Sequence, residues 1–413
     1  MNRFVRTAPT RRLLAALLGI CVLIAAGSTL AVAASSGGPV PPAKPLPQAI
    51  HNGLAAPPVN GISADITFKN NLIDASELQG SDPLLSGGSG RLWLSGDHQF
   101  RLELQTTDGG RADAQIVVNR RRFWAYDPSS NTAYTGSLPA DTGHKRAGGR
   151  RAARDAVPTV ARIQTELKRV MQHAKLAPAI PGDVAGQPAY TVRITPKDTG
   201  GLIGGAELAW DAAHGVPLRV ALYARGDATP VLELDATNVS YGPQPASVFS
   251  IAPPADAKLV NVDTQRLTAS ETKKHRGKHG RHREISGVAA VAGHLPFSLD
   301  APATLAGLPR TSVSLVGGSK HPAALIVYGQ GLGSVVVIEQ AARRSRGSGQ
   351  SPNTSQGGDR QGLTLPTVQV GGTTATELDT AIGSLVRFTR AGVTYVVAGS
   401  VTRSVADAAA RGL

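Results

Sequence analysis

Residues 186–260 decide the fold of this chain, and they read GQPAYTVRITPKDTGGLIGGAELAWDAAHGVPLRVALYARGDATPVLELDATNVSYGPQPASVFSIAPPADAKLV. Apolar and polar residues alternate from Tyr190 to Ile194 and again from Leu218 to Leu222. The segment from Asp211 to Gly215, which lies between these runs, has the composition of a turn. Alternation is typical of a strand with one buried face, because successive side chains point to opposite faces. The stretch therefore predicts antiparallel strands that are apolar on one face.

The same alternation occurs upstream, in residues 59–126. Every second residue is apolar in two runs, 62–68 and 100–104, and shorter apolar runs follow at 116–118 and 123–126. We interpret all four runs as strands of the same β-structure. The apolar residues of the two alternating runs are Ile62, Ala64, Ile66, Phe68, Phe100, Leu102 and Leu104.

An amphipathic helix is predicted between these two groups of strands, from Pro158 to Ala174. Proline suits the first turn of a helix, because the N–H groups of that turn have no partner within the helix. Apolar residues follow at helical spacing, and charged residues occupy the opposite side. By itself the pattern fits an ordinary helix packed against the sheet, and equally the covering role that the family resemblance described below implies. The apolar side consists of Val160, Ile163, Leu167, Val170, Met171 and Ala174.

Short motifs within the first stretch occur in a familiar order. They are Gly186–Tyr190, Thr195–Asp198, Gly215–Val220, Ala246–Phe249 and Pro253-Pro254. This order resembles the C-terminal half of the LolA/RseB-like lipoprotein-carrier family, in the form found in Gram-positive envelope proteins. With the upstream strands, the resemblance spans about residues 59 to 260. It implies an α+β fold in which an unclosed antiparallel β-barrel, or half-barrel, has an α-helical lid and an apolar concavity for acyl chains.

The N-terminus has the pattern of an export signal. Four arginines precede residue 13, an apolar run follows, and residues 31–33 form the small-x-small pattern of a signal peptidase site. Residues 1–33 are therefore predicted to be a cleaved signal peptide. An uncleaved N-terminal membrane anchor is the alternative, because the apolar character persists for nearly the ~20 residues of a spanning helix. Either way, the bulk of the protein is expected outside the cytoplasm, in the cell envelope or secreted.

Composition divides the rest of the chain into two predicted domains. The predicted segments are a Pro/Gly/Ala-rich flexible tether at 34–58, the half-barrel domain at 59–262, a basic linker at 263–285, and a smaller β-rich α+β domain at 286–413 with a disordered loop at 341–362. The last domain faintly resembles a small domain of unknown function attached to envelope and anti-sigma proteins, through Leu295–Phe297, Val337–Gln340 and Gly392–Tyr395.

Positive charge is concentrated in the linker, within a formal net charge of +14 for the chain. The linker fits a solvated connection, a contact with an anionic membrane surface, or a metal site formed by its three histidines. Nucleic acid is not an expected partner, because the protein is exported and only 4% of its residues are aromatic. The candidate residues for an anionic surface are Lys273, Lys274, Arg276, Lys278, Arg281 and Arg283.

No catalytic motif is found, so we expect neither an enzyme nor a cofactor or metal. The leading hypothesis is a carrier or chaperone that binds lipid or lipoprotein acyl chains in the apolar concavity. The alternative, implied by RseB-like relatives, is a regulatory sensor that contacts a membrane-bound anti-sigma factor. Each candidate cavity residue fits plain core packing as well. The candidates are Ile62, Ile66, Phe68, Phe100, Leu102, Leu104, Ile163, Leu167, Met171, Val192, Ile194, Leu218, Val220 and Leu222.

Overall fold

The protein forms two compact units, each of which is described by itself. The computed structural model describes residues 38–72, 87–96, 99–105, 114–128, 130–138, 157–262, 285–318, 321–342 and 366–413. Unit 1 contains the described residues up to 71, those from 87 to 197, and 204–262. Unit 2 contains Leu72, residues 198–203 and the described residues from 285 onward.

The described residues of unit 1 form a 13-stranded sheet and include helices α1 (Leu46–Ala55) and α2 (Val160–His173). The strands are β1 (Gly61–Asn70), β2 (Gly88–Ser95), β3 (Gln99–Gln105), β4 (Ala114–Asn119), β5 (Arg122–Asp127), β6 (Thr132–Ser137), β7 (Ala174–Leu176), β8 (Ile180–Val184), β9 (Gln187–Pro196), β10 (Ile203–Asp211), β11 (Pro217–Ala224), β12 (Pro230–Tyr241) and β13 (Lys258–Val262).

The strand order is β13-β6-β5-β4-β3-β2-β1-β12-β11-β10-β9-β7, with β8 also paired to β9. Strand β13 runs parallel to β6, whereas β1 is antiparallel to both of its neighbours. Among the described residues, the end strands β13 and β7 do not pair with each other, so the sheet is open. It is also strongly curled, which confirms the predicted fold class of an unclosed half-barrel with few helices.

Helix α1 lies within residues 34–58, which were predicted to be a flexible tether, and this prediction needs correction. Its apolar residues Leu46, Ala49 and Ile50 lie three and four positions apart and therefore share one side of the helix. Ala49 is 1% exposed and packs in a cluster with Tyr190 and Trp210 of the sheet. The prediction of a flexible segment with little to bury is thus wrong for these residues, because Ala49 is buried against the sheet and Leu46 and Ile50 pack beside it.

Helix α2 confirms the predicted helix but begins at Val160, two residues later than the predicted start at Pro158. Thr159 is the N-cap, and its hydroxyl accepts a hydrogen bond from the Arg162 N–H at 3.3 Å. Pro158 therefore precedes the helix and is not in its first turn. Ile163 is buried on the apolar side, whereas Met171, predicted to share that side, is 47% exposed. Ala174, expected to end the helix, is the first residue of β7.

Unit 2 has its own eight-stranded sheet, with strand order β14-β15-β16-β17-β21-β20-β19-β18. Its core is formed by the sheet together with helix α4, which buries Ala406, Ala409 and Ala410. Residues 343–362 of the predicted loop lie outside the described residues. The elements are β14 (Thr304–Leu305), β15 (Leu308–Gly318), β16 (His321–Tyr328), β17 (Val335–Ala341), β18 (Thr367–Val370), β19 (Thr373–Thr380), β20 (Gly383–Arg390), β21 (Val393–Gly399), α3 (Val288–Ala292) and α4 (Arg403–Arg411).

None of the helices in the described part of the chain is long and apolar enough to cross a membrane. The predicted signal peptide at residues 1–33 lies outside the described residues, so its cleavage stays a prediction.

Gly215 lies close to Gly53 of α1, and this contact provides a test of how α1 packs on the sheet. Gly215 has a φ of +67°, and a Cβ there would lie 2.0 Å from the carbonyl oxygen of Gly53 in α1. Gly186 has a similar φ of +74° with no atom within 4 Å of the Cβ position. We expect Gly186→Ala to lower the unfolding free energy by about 1 kcal/mol through backbone strain alone. Gly215→Ala should cost roughly 1–3 kcal/mol more because of the added overlap.

Urea unfolding followed by tryptophan fluorescence measures both variants, since the three tryptophans of the chain, Trp93, Trp124 and Trp210, belong to unit 1. Equal losses of stability in the two variants would show that α1 does not constrain this turn.

A buried carboxyl group in unit 2 gives a pH-dependent prediction. Glu339 on β17 is fully buried, and burial raises its pKa to about 7, although its Oε2 accepts a hydrogen bond from the Asp300 N–H at 3.1 Å. Because the folded pKa lies above the ordinary 4.5, the stability contributed by the neutral form is complete below 4.5 and decreases as the pH rises to about 7. The decrease should be about 3 kcal/mol.

Hydrogen exchange of the β17 amides measures this effect after correction for the intrinsic exchange rate. Glu339→Gln retains an acceptor for Asp300 and should remove the pH dependence. A wild-type β17 whose protection is constant between about pH 5 and pH 7 would contradict the assignment.

Candidate functional site

One face of the unit 1 sheet carries apolar side chains in continuous rows. Residues directly opposite each other on paired strands project to the same face, so the register defines each row. We call the two rows and their neighbours on β11 and β12 the apolar face. The first row is Ile62, Leu94, Phe100, Val118 and Phe123, and the second is Ala64, Leu92, Leu102, Ile116, Ala125 and Tyr134. The neighbours are Phe68, Val220, Leu222, Leu232 and Leu234.

Contacts between strands that are not neighbours show that the sheet curls towards this face. Tyr241, which lies opposite Ile62 at the end of β12, donates a hydrogen bond from its hydroxyl to Asp211 of β10 at 2.6 Å. Gln187 of β9 donates from its side-chain amide to the Val239 carbonyl of β12 at 3.3 Å. The apolar face is therefore the concave side of the half-barrel.

The Asp211 carboxylate fixes this curl from a fully buried position. Burial would raise the pKa of Asp211, but hydrogen bonds from Tyr241 and from the backbone N–H groups of His214 and Ala213 hold that pKa below its ordinary value. The bond to Asp211 and burial together raise the pKa of Tyr241, with burial the larger cause. Within the described residues, no group of three or more His, Cys, Asp or Glu side chains could hold a metal ion.

In the part of the chain that the structure describes, α1 and α2 pack at the β9–β10 end of the sheet. Helix α1 packs on Val192, Tyr190 and Trp210. Val170 at the end of α2 packs with Ile194 and Ala206, in a cluster that also includes Leu222 of the apolar face. This is the position expected of a partial lid, and the described residues leave the rows on β2–β6 less covered.

Exposure divides the apolar face into an enclosed part and an open part. Ile62, Ile66 and Leu104 are buried, whereas Leu234 and Tyr134 are each 40% exposed. The remaining large side chains of the face are half-buried, so that apolar surface remains accessible along the rows. The half-buried members are Phe68, Leu92, Leu94, Phe100, Leu102, Ile116, Val118, Phe123, Val220, Leu222 and Leu232.

The structure brings most of the predicted cavity residues to one face but encloses several of them. Ile62, Ile66, Leu104 and Leu218 are packed into the core, and Val192, Ile194 and Ile163 are buried under or within the helical end. The members left half-buried are Phe68, Phe100, Leu102, Val220 and Leu222 on the sheet, with Leu167 on α2. A role in ligand binding stays a prediction for all of them. The basic residues Lys273, Lys274, Arg276, Lys278, Arg281 and Arg283 lie outside the described residues.

Sequence reasoning missed several members of the open part. Ile116, Val118 and Phe123 lie in runs that the sequence predicts as strands, but neither they nor Leu92 and Leu94 are among the predicted cavity residues. Leu234 and Tyr134 were not singled out at all. The available signal was the same two-residue alternation. Once the strands are paired, it places the residues on β2 and β4–β6 in the rows of Leu102 and Phe100, and Leu234 opposite Phe68.

The opposite face of β10–β12 carries a charged network. Arg219 donates from Nε to Glu233 at 2.8 Å and also pairs with Glu207, while Lys69 Nζ lies 2.7 Å from Glu233. Burial would raise the pKa of Glu233, but the hydrogen bonds from Lys69 and Arg219 outweigh it and lower that pKa. Burial raises the pKa of Asp235, which lies beside Arg219 at 3.9 Å. The network holds charged groups on the face that is turned away from the apolar rows.

A strap crosses the same outer face over β3–β5. It is the short 3₁₀ turn Ala246–Phe249, in which Phe249 is fully buried, and the residues that follow it. Trp124 of β5 donates from Nε1 to the Ile251 carbonyl at 3.1 Å, and Asn119 of β4 donates to the Phe249 carbonyl at 3.2 Å. The motif that the resemblance singled out by order alone therefore covers the back of the sheet.

Comparisons of the sequence with known families and with curated proteins find no match. Among solved structures, the chain is similar to MucB from the "complex structure of Pseudomonas aeruginosa MucA/MucB", with 16% identity, 88% of this chain and 96% of that chain covered, and a TM-score of 0.37. MucB in complex with MucA(peri) gives 17% identity, 88% and 94% coverage, and a TM-score of 0.34.

A third similar structure is the LolA superfamily protein NE2245 from Nitrosomonas europaea, with 12% identity, 51% of this chain and 99% of that chain covered, and a TM-score of 0.21. The similar structures are thus of the kind that the sequence resemblance named.

The charged network gives a stability prediction. Arg219→Leu leaves the buried Glu233 and the partly buried Glu207 with fewer cationic partners, and we expect it to lower the unfolding free energy by about 3 kcal/mol. The double variant Arg219→Leu/Glu233→Leu should recover more than half of that loss, because its most buried carboxylate is gone. Arg169→Leu removes an exposed pair with Glu166 on α2 and serves as the control, with an expected loss of ~0.5 kcal/mol or less.

Urea unfolding followed by tryptophan fluorescence compares the three variants. If the double variant is less stable than Arg219→Leu, the ion pair is not what makes Arg219 important at this position.

Proposed function

We propose that unit 1 is a non-enzymatic binding module for acyl chains of lipids or lipoproteins, acting as a carrier or chaperone in the cell envelope. The observation that supports this most directly is the half-buried apolar rows on the concave side of an open sheet. In soluble proteins, the apolar face of a sheet is normally buried in the core and the charged face is exposed to water. Here the opposite face of β11 and β12 holds the charges, and Glu233 is 3% exposed while its neighbour Leu234 is 40% exposed.

The chemistry of the apolar face fits a chain of methylene groups. The two rows from β1 to β5 contain only aliphatic, alanine and phenylalanine side chains. A saturated chain laid against them gains ~0.8 kcal/mol for each methylene that leaves water. No carboxylate or amine needs to be desolvated along these rows, so the cost of binding an uncharged chain is low.

A regulatory role is the second candidate, and the existence of unit 2 favours it. Unit 2 has its own sheet and its own hydrophobic core, neither of which an acyl-binding half-barrel requires. In this alternative the protein contacts a membrane-bound regulatory partner such as an anti-sigma factor. Purified protein that contains no lipid but captures such a partner would support it.

The experiment places a charge at matched positions on the two faces. Leu234→Lys puts an amine among the apolar rows, whereas Leu259→Lys changes a leucine that is 65% exposed on β13. Leu259 lies opposite Ala133, which is in register with Tyr126 on the outer face of the sheet. We expect Leu234→Lys to weaken binding of a fluorescent long-chain fatty acid more than tenfold, because the amine must lose water when the chain binds. Leu259→Lys should bind as the wild type does.

Native mass spectrometry of the purified protein provides the second measurement. Co-purified acyl lipid in the wild type and in Leu259→Lys, but not in Leu234→Lys, is the expected pattern. Absence of lipid in all three, together with no fatty-acid binding in solution, would rule out the acyl-binding function.

A further inference from the structure

Three consecutive arginines form the tip of the β4–β5 hairpin. Arg120 and Arg121 make the turn, and Arg122 is the first residue of β5. All three are exposed. The ion pairs among the described residues do not include any of them. The tip therefore presents three guanidinium groups to solvent without acidic partners in the described part of the chain.

The geometry of the turn does not account for these arginines. Arg120 has a φ of +57°, in the left-handed region that glycine and asparagine adopt most readily. Three alanines with positive φ, Ala185, Ala306 and Ala391, are each followed by glycine in their turns. Arg120 is followed by a second arginine. A residue that keeps an unfavourable backbone conformation at an exposed tip points to a role of its side chain.

The hairpin tip lies next to the first apolar row. Phe123 directly follows Arg122, and Val118, which pairs with Phe123 across β4 and β5, lies two residues before Arg120. Leu138 is 38% exposed and donates its N–H to the Arg121 carbonyl at 2.6 Å. We call Arg120, Arg121, Arg122 and Leu138 the arginine rim. It combines positive charge with an exposed apolar side chain at the end of the apolar face.

The other end of the same strands carries acidic residues. Asp127 ends β5 opposite Thr132, and the exposed Asp256 accepts a hydrogen bond from Asn131 beside it, with Lys258 as the nearby cation. Strands β6 and β13 run parallel and both end at the arginine rim, where Gly136 lies opposite Val262. The arginine rim and these acidic residues thus lie at opposite ends of the same strands.

We propose that the arginine rim docks unit 1 onto an anionic membrane surface by binding lipid phosphate headgroups. Guanidinium groups bind phosphate oxygens in a bidentate manner, and a leucine between them can enter the interfacial region. Each arginine near an anionic bilayer contributes roughly a fivefold gain in partitioning at low ionic strength. Docking at this end brings the first apolar row next to the lipid, but binding to the bilayer does not require that acyl chains enter the sheet.

The test uses the full mature chain and vesicles of phosphatidylcholine with or without about one third phosphatidylglycerol. The triple variant Arg120→Gln/Arg121→Gln/Arg122→Gln should partition onto the anionic vesicles at least about tenfold less than the wild type. The control is Arg162→Gln/Lys168→Gln/Lys175→Gln, which removes the same charge from exposed positions on α2 and β7. It should lose less than about threefold. Replacing the three rim arginines by lysine should retain most of the binding.

Several results would overturn the proposal. They are wild-type partitioning by the rim variant, equal losses in the rim variant and the control, and binding of soluble polyphosphate without binding to the anionic vesicles. Unchanged thermal unfolding, followed by tryptophan fluorescence, confirms that the rim variant is folded. Because the vesicle assay needs no acyl ligand and the fatty-acid assay needs no vesicle, failure of this proposal is distinguishable from failure of the proposed function.

Discussion

The ion pair between Arg219 and Glu233 determines which way the central strands of the half-barrel face. Side chains alternate along a strand, so holding these two charges on one face places Val220 and Leu234 on the other. Burying a carboxylate is costly unless cations compensate it, and Lys69 and Arg219 supply that compensation at Glu233. The apolar side chains consequently line the concave side, where Val220 is half-buried and Leu234 is 40% exposed.

The sequence predicts the existence of this sheet well and its orientation poorly. Alternation from 62 to 68 and from 218 to 222 indicates strands with two unlike faces, and the strand register confirms this. The alternation does not reveal which face is enclosed. Hydrophobicity alone predicts that Leu234 is buried and Glu233 exposed, whereas in the structure Glu233 is buried and Leu234 is exposed. The outcome depends on a pair fourteen residues apart, Arg219 and Glu233, and on covering segments that only the folded chain brings together.

The parts that sequence reasoning missed share a dependence on distant contacts. Helix α1 has a short apolar stripe of Leu46, Ala49 and Ile50. This stripe alone does not predict a packed helix, because its partners Tyr190 and Trp210 are far away in the sequence. The position of Phe249 in the strap depends on contacts with β3–β5, more than a hundred residues away in the chain. Local periodicity contains no information on such pairs, whereas the amphipathic helix α2 was predictable because its signal lies within fourteen residues.

The strap from Ala246 to Ile251 also has a mechanical consequence for the half-barrel. It is hydrogen-bonded through its carbonyls to Arg101, Asn119 and Trp124, which belong to three adjacent strands. The strap therefore braces these three strands on the outer face. Separating the strands would require breaking the hydrogen bonds to the strap as well as those between the strands. On the other side of β1, the bonds from Tyr241 to Asp211 and from Gln187 to Val239 link β12 to β10 and β9, so both halves of the curled sheet are held by contacts beyond neighbouring strands.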